Sequence, residues 1–199
     1  MNKKVIISVL LLCAFLGTAV IPAFAEDGAF SFRGGVTFGM GMEKIKEIEE
    51  ANGQVHLDHW LDGELPPWKV IRGSDKVQVS SYEAYLLYFF LDDMMESVFY
   101  DFMFYGDEGP EAAFNNVAAS LTAKYGAGEP VSSAEIVNLV NHFSPNFYSE
   151  EDLVSVTVWR QENVDIYQFY YSENGFVLFY ANPAFDYSAG GAVVNTTGL

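Results

Sequence analysis

Two long apolar segments separated by only three residues constrain the fold of this chain most. Residues 82–91 and 95–105 flank Asp92-Asp93, and this spacing predicts a hairpin. So short a connection forces antiparallel pairing, because parallel strands need a crossover of a dozen or more residues. Large apolar side chains occupy both faces of the second segment, so we expect the hairpin to be central and covered on both sides.

Three helices are predicted from the spacing of apolar residues. In residues 42–52, Met42, Ile45 and Ile48 recur on one face, with Lys44, Glu47 and Glu50 facing water. A second helix is expected between Pro110 and Gly126, and a third, shorter helix follows the capping-box residues Ser132 and Glu135.

The remaining elements are strands, and their order sets the fold class. They are expected at residues 69–72, 77–81, 153–160, 164–171 and 176–181. A helix followed by strands therefore occurs twice, which suggests a structural pseudo-repeat. We predict an α+β fold, an antiparallel sheet of hairpins with two to three helices packed on one face.

The N-terminus has the features of a secretory signal peptide. Lys3 and Lys4 precede an uncharged apolar stretch, and Ala23-Phe24-Ala25 supplies the small–x–small cleavage pattern. We expect cleavage between Ala25 and Glu26, then a single domain over residues 26–187 and a flexible tail over 188–199. The protein is then secreted or periplasmic.

Charge and cysteine content limit the partners of the released domain. Cleavage removes Lys3 and Lys4, so the net charge changes from −17 to −19. Such a field repels phosphate backbones and anionic lipid, so nucleic acid and membrane surfaces are not expected partners. Cys13, the only cysteine, lies in the predicted signal peptide and follows Leu12 where a lipidation site needs a small residue. The mature domain is therefore predicted to lack disulfides, thiolate metal sites and a lipid anchor.

Residues 32–45, with the sequence FRGGVTFGMGMEKI, resemble the opening of the β-lactamase-inhibitor-protein-like group of exported bacterial domains, which includes the small lipoprotein of outer-membrane assembly. That resemblance implies a helix followed by hairpins and a non-enzymatic domain that binds proteins, often through the open face of its sheet. The chain differs from the group in lacking the lipid-anchored cysteine and the disulfides that some members carry, and in its extra helix near Ser133.

Candidate catalytic and metal-binding groups are sparse. His56, Asp58 and His59 have metal-ligand chemistry, but a closed site needs about four ligands, so a surface loop is the preferred interpretation. No metal or cofactor is therefore predicted. The acidic groups at 92–93, 107–108 and 150–152 suit solvated turns; a glycosidase-type carboxylate pair is the enzyme alternative. The preferred prediction is a non-enzymatic protein.

Aromatic side chains in the later strands suggest a binding surface. Trp159, Tyr167, Phe169 and Tyr171 occupy odd positions, whereas the even positions of the same strands are largely aliphatic. We expect these four rings to share a half-exposed sheet face that engages a protein partner, with a basic partner surface favoured by the domain's charge. The alternative is a small-molecule or carbohydrate site, for which a pocket beneath Trp60 and Trp68 would be required.

Overall fold

The computed structural model describes residues 30–54, 57–59, 68–73, 75–103, 110–143, 153–171 and 175–185. A 3-10 turn at Arg33–Gly35 precedes the three helices, α1 (Met42–Ala51), α2 (Glu111–Tyr125) and α3 (Ser133–Phe143). The strands are β1 (Leu57–His59), β2 (Lys69–Gly73), β3 (Val77–Val79), β4 (Tyr82–Leu91), β5 (Met94–Met103), β6 (Glu129–Pro130), β7 (Leu153–Gln161), β8 (Val164–Tyr171) and β9 (Gly175–Ala181). The predicted signal peptide and tail lie outside the described residues.

The strands form one antiparallel sheet in the order β1-β2-β4-β5-β9-β8-β7-β6, and β3 pairs with the start of β4. The first half of the chain contributes β2, β4 and β5, and the second half contributes β7, β8 and β9. The last strand of each half, β5 and β9, pair antiparallel at the centre, where Phe99 lies opposite Phe179. This arrangement confirms the predicted α+β class, and in each half at least one helix precedes these three strands.

The turn between β4 and β5 shows why this hairpin is so tight. Asp92 and Asp93 have φ angles of 49° and 65° between the paired residues Leu91 and Met94. Two consecutive positive φ angles define the turn whose twist matches that of the flanking strands. Aspartate tolerates this region better than most residues do. The strands on either side are buried on both faces, as the sequence predicted.

The two faces of the sheet bury separate cores. The first face packs against α1 and α2, whose Ile45, Val117 and Leu121 contact aromatic and aliphatic side chains of the sheet. The second face packs against α3 through Leu139, with Ile136 partly buried beside it. Two helices therefore share one face, as expected, while the third lies on the opposite face.

Candidate functional site

The four aromatic residues predicted to form a binding face do not lie on one face. The turn at Glu162-Asn163 pairs Gln161 with Val164, which places Trp159 opposite Ile166 and Val158 opposite Tyr167. Directly opposed residues of neighbouring strands point to the same side of a sheet. Trp159 therefore belongs to the first face with Ile166, and the β8 rings belong to the second face with Val158. The expectation that odd positions of both strands share a face is wrong.

The expectation of half-exposure is also wrong for all four rings. Trp159 is 2% exposed, Tyr167 4%, and Phe169 and Tyr171 5% each. The indole Nε1 of Trp159 is buried and makes no hydrogen bond with the described residues. These rings act as core residues in this structure, and their role in binding a partner stays a prediction.

The second face carries a row of stacked rings that crosses four strands. Phe89 of β4 lies 4.5 Å from Phe99 of β5, and Phe99 lies 4.6 Å from Phe179 of β9, measured between ring centroids. Phe179 continues the row to Tyr167 of β8 at 5.6 Å. Such aromatic pairs stabilise a sheet beyond the area that they bury. We call these four residues the aromatic row.

Helix α3 is held against one end of the aromatic row by polar contacts. Tyr167 Oη donates a hydrogen bond to Glu135 Oε1 at 2.9 Å, and Arg160 Nη2 donates to the same oxygen at 2.7 Å. Arg160 Nη1 also lies 3.2 Å from Asp165 Oδ2. Burial, followed by the hydrogen bond to Glu135, raises the pKa of Tyr167, so this phenol remains a neutral donor.

Because these contacts are partly solvated, they anchor α3 less firmly than the core anchors the sheet. Replacing Arg160 with Met should weaken the docking of α3 by about 1–2 kcal/mol. Amide hydrogen exchange in α3 should then accelerate roughly 5- to 30-fold while exchange in β5 and β9 is unchanged. Lys44→Met, which removes an exposed ion pair with Glu47 on α1, is the control; equal protection of α3 in both variants would contradict the anchoring role.

A buried charged group lies on the first face, beneath α1. Glu49 is fully buried; its Oε1 accepts a 2.6 Å hydrogen bond from Tyr88 Oη, and its Oε2 lies 3.3 Å from Arg33 Nε. The turn that carries Arg33 packs closely on α1, because a Cβ at Gly34 would lie 2.7 Å from Ile48 Cγ2. Burial raises the pKa of Glu49, against the opposing effects of Tyr88 and Arg33.

Glu49 was not predicted from the sequence as a buried carboxylate, although its position in α1 offered an indication. The buried residues of α1 are Met42, Ile45 and Glu49, spaced three and four apart. Glu49 therefore occupies a core position of the helical pattern. A carboxylate at such a position needs a cation or hydrogen-bond donors, and Arg33 and Tyr88 supply them.

Four tyrosines extend from Glu49 across the first face. Tyr88, Tyr100, Tyr180 and Tyr125 follow one another on β4, β5, β9 and α2, and the rings of Tyr100 and Tyr180 are 5.7 Å apart. Burial is the largest cause of the raised pKa of each phenol, and that of Tyr125 reaches about 12. All four are neutral at physiological pH. Tyr125, at the end of this series, lines a cavity between α2 and the sheet.

Several of the predicted metal-binding and acid–base residues lie outside the part of the chain that the structure describes. His56, Trp60 and the acidic groups at 107–108 and 150–152 lie outside the described residues, and the side chains of Asp58 and His59 are likewise not described. Asp92 and Asp93 are exposed turn residues, and Asp93 forms an ion pair with Lys69 at 2.7 Å. Within the described ranges, no three His, Cys, Asp or Glu side chains are grouped as metal ligands would be.

Comparison with known proteins identifies no relative. No family model, no curated protein and no solved structure matches the chain. In the part of the chain that the structure describes, no helix has the length and apolarity needed to span a membrane. The function is therefore inferred from the side chains of this chain alone.

Proposed function

We propose that this chain is an exported, non-enzymatic domain that binds a protein partner at the sheet edge formed by β7 and α3. The observation that carries the proposal is the exposure of large aliphatic side chains on both elements. Val154 of β7 is 59% exposed and Val137 of α3 is 41% exposed. A partner bound at this edge would cover these two side chains and remove them from water.

The backbone of β7 supports a protein partner in particular. Among the described residues, the outer side of β7 is paired only around residues 156–158, by β6 and by the Val131 N–H. The register of β7 also shifts between Leu153 and Ser155, at Val154. An extended segment of a partner could add to this edge through backbone hydrogen bonds and bury Val154. The acidic domain would favour a basic partner segment.

The small-molecule alternative at Trp68 receives no comparable support. Trp68 is buried, and its ring makes edge contacts with Phe89 at 6.5 Å and Phe185 at 5.4 Å. A tryptophan packed in this way serves the core of the second face. The protein-binding proposal is therefore preferred.

Substitution of Val154 tests the proposed edge. The chain is expressed with its own N-terminus, purified from the extracytoplasmic fraction and used to capture proteins from the source organism's envelope and medium. Val154→Asp should reduce recovery of the captured partner at least about tenfold, because burying an unpaired carboxylate costs well over 1.4 kcal/mol. Circular dichroism checks that the variant is folded.

Met94→Asp is the matched control. Met94 is also exposed, at 46%, and it begins β5. Ser97 of β5 pairs with Ala181, Ala181 pairs with Asp165, and Asp165 pairs with Arg160 at the end of β7. Met94 therefore lies at the opposite end of the strands from Val154, which is near the start of β7. Equal capture by both variants would refute the β7 edge as the site.

N-terminal sequencing of the purified protein should begin at Glu26; a retained Met1 would refute export.

A further inference from the structure

A small cavity separates α2 from the first face of the sheet, away from the β7 edge. Its volume is about 60 Å³, and its apolar walls include Val117 and Leu121 of α2 and Leu178 of β9. Tyr100, Tyr125 and Tyr180 also line it, with Lys124. The cavity is therefore an apolar space into which several polar groups converge, the usual composition of a ligand site.

The polar groups of this lining are suited to an acceptor with negative charge. Among the described residues, no Asp or Glu lines the cavity, although the chain contains 27 acidic residues. Lys124 supplies an ammonium group, and the Tyr125 hydroxyl is buried without a hydrogen bond to any part of the chain that the structure describes. Ser120 is already engaged, since its hydroxyl donates to the Asn116 carbonyl at 2.9 Å.

An unpaired buried hydroxyl destabilises the fold, and this cost is recovered when a ligand accepts its hydrogen bond. A phenol with a raised pKa donates to an anion without losing its own proton. Lys124 is exposed, with its ammonium 4.8 Å from the centre of the Tyr125 ring, and partial desolvation lowers its pKa, which a bound anion would offset. Only a small ligand fits, because the volume of the cavity is about 60 Å³.

We propose that this cavity binds a short-chain aliphatic carboxylate, with the carboxylate at Lys124 and Tyr125 and the alkyl group against Val117, Leu121 and Leu178. The site lies on the opposite face of the sheet from α3 and does not depend on the proposed partner site. Acetate and propionate are the probes that match its size and chemistry.

Titration of the full chain with sodium propionate, followed by amide ¹H–¹⁵N correlation spectra, tests the site. Saturable shifts are expected at the amides of Val117, Leu121 and Leu178. Lys124→Gln and Tyr125→Phe should each raise the dissociation constant about tenfold or more, since a hydrogen bond to a charged group contributes about 1.5–3 kcal/mol. Lys44→Gln, on the exposed surface of α1, should leave it unchanged.

Neutral propionamide and sodium chloride at matched ionic strength separate the possible outcomes. Binding of propionate alone supports the proposal. Absence of saturable shifts, equal binding of propionamide, or equal weakening by Lys44→Gln would overturn it. Thermal unfolding of each variant confirms that binding is measured on folded protein. Val154→Asp should bind propionate normally, so failure of the partner proposal is distinguishable from failure of this one.

Discussion

Replacement of Arg33 with Met is expected to lower the free energy of unfolding by about 3–5 kcal/mol at neutral pH. The substitution removes the cation beside Glu49, which is fully buried. Breaking a buried ion pair is strongly destabilising, and only the hydrogen bond from Tyr88 would remain to offset the burial of this carboxylate. Urea unfolding of the wild type and the variant at pH 7 measures the difference. Lys69→Met is the control: its pair with Asp93 is 53% and 66% exposed, so the loss should stay below about 1 kcal/mol.

The same variant should recover stability as the pH falls. Burial raises the pKa of Glu49 above 4.5 in the folded protein. At pH values between 4.5 and this higher folded-state pKa, the folded state holds more protons than the unfolded state. The free energy of unfolding therefore falls as the pH rises through that interval. Without Arg33 the folded pKa of Glu49 rises further, so the loss is largest where Glu49 is ionised and shrinks as the carboxyl takes up a proton. The loss caused by Arg33→Met should thus be much smaller at pH 5; a loss independent of pH would contradict a charged Glu49.

Replacement of Phe179 with Ala should have an effect of similar size through a different cause. Phe179 is fully buried at the centre of the aromatic row, with Phe99 on one side and Tyr167 on the other. Removing its ring leaves a cavity and two unstacked rings, at a cost of about 3–5 kcal/mol. A domain of this kind has about 5–15 kcal/mol in total, so the midpoint of urea unfolding should fall sharply.

The exposed Val154 provides the comparison for Phe179→Ala. Val154→Ala should change the free energy of unfolding by no more than about 0.5 kcal/mol, as is usual at the surface. A small loss for Phe179→Ala would mean that the second face is loosely packed. Tyr167, Phe169 and Tyr171, three of the four rings that the sequence suggests for binding, would then be available to a partner on this face, and the binding proposal would move there from the β7 edge.

The elements of this fold were predictable because their patterns are local. The span of β4 and that of β8 match the predicted strands, and α1 differs by one residue. The assignment of side chains to faces was not local, since it depends on which residues oppose one another across a turn. Gln161 pairs with Val164, so odd-numbered residues of β7 lie opposite even-numbered residues of β8. Grouping the odd-numbered residues of both strands therefore combined residues from the two faces of the sheet.

The buried groups were harder to predict for a related reason. Glu49 meets Tyr88 across 39 positions of sequence, and Tyr125 reaches the cavity only because α2 packs against the sheet, where it contacts β7 and β9. Such contacts come from tertiary packing, which a periodic pattern does not contain. A charged residue at a core position of α1 was the one local indication of a buried pair.

The position of β9 has a consequence for the order of events during synthesis. This strand is the last in the described chain, yet it lies between β5 and β8 in the middle of the sheet. Until residues 175–181 are made, β5 of the first half cannot pair with β9, which joins the two halves of the sheet. This pairing requires contacts between residues that are distant in sequence. A nascent chain of this topology therefore cannot complete its central strand pairing until residues 175–181 have been made.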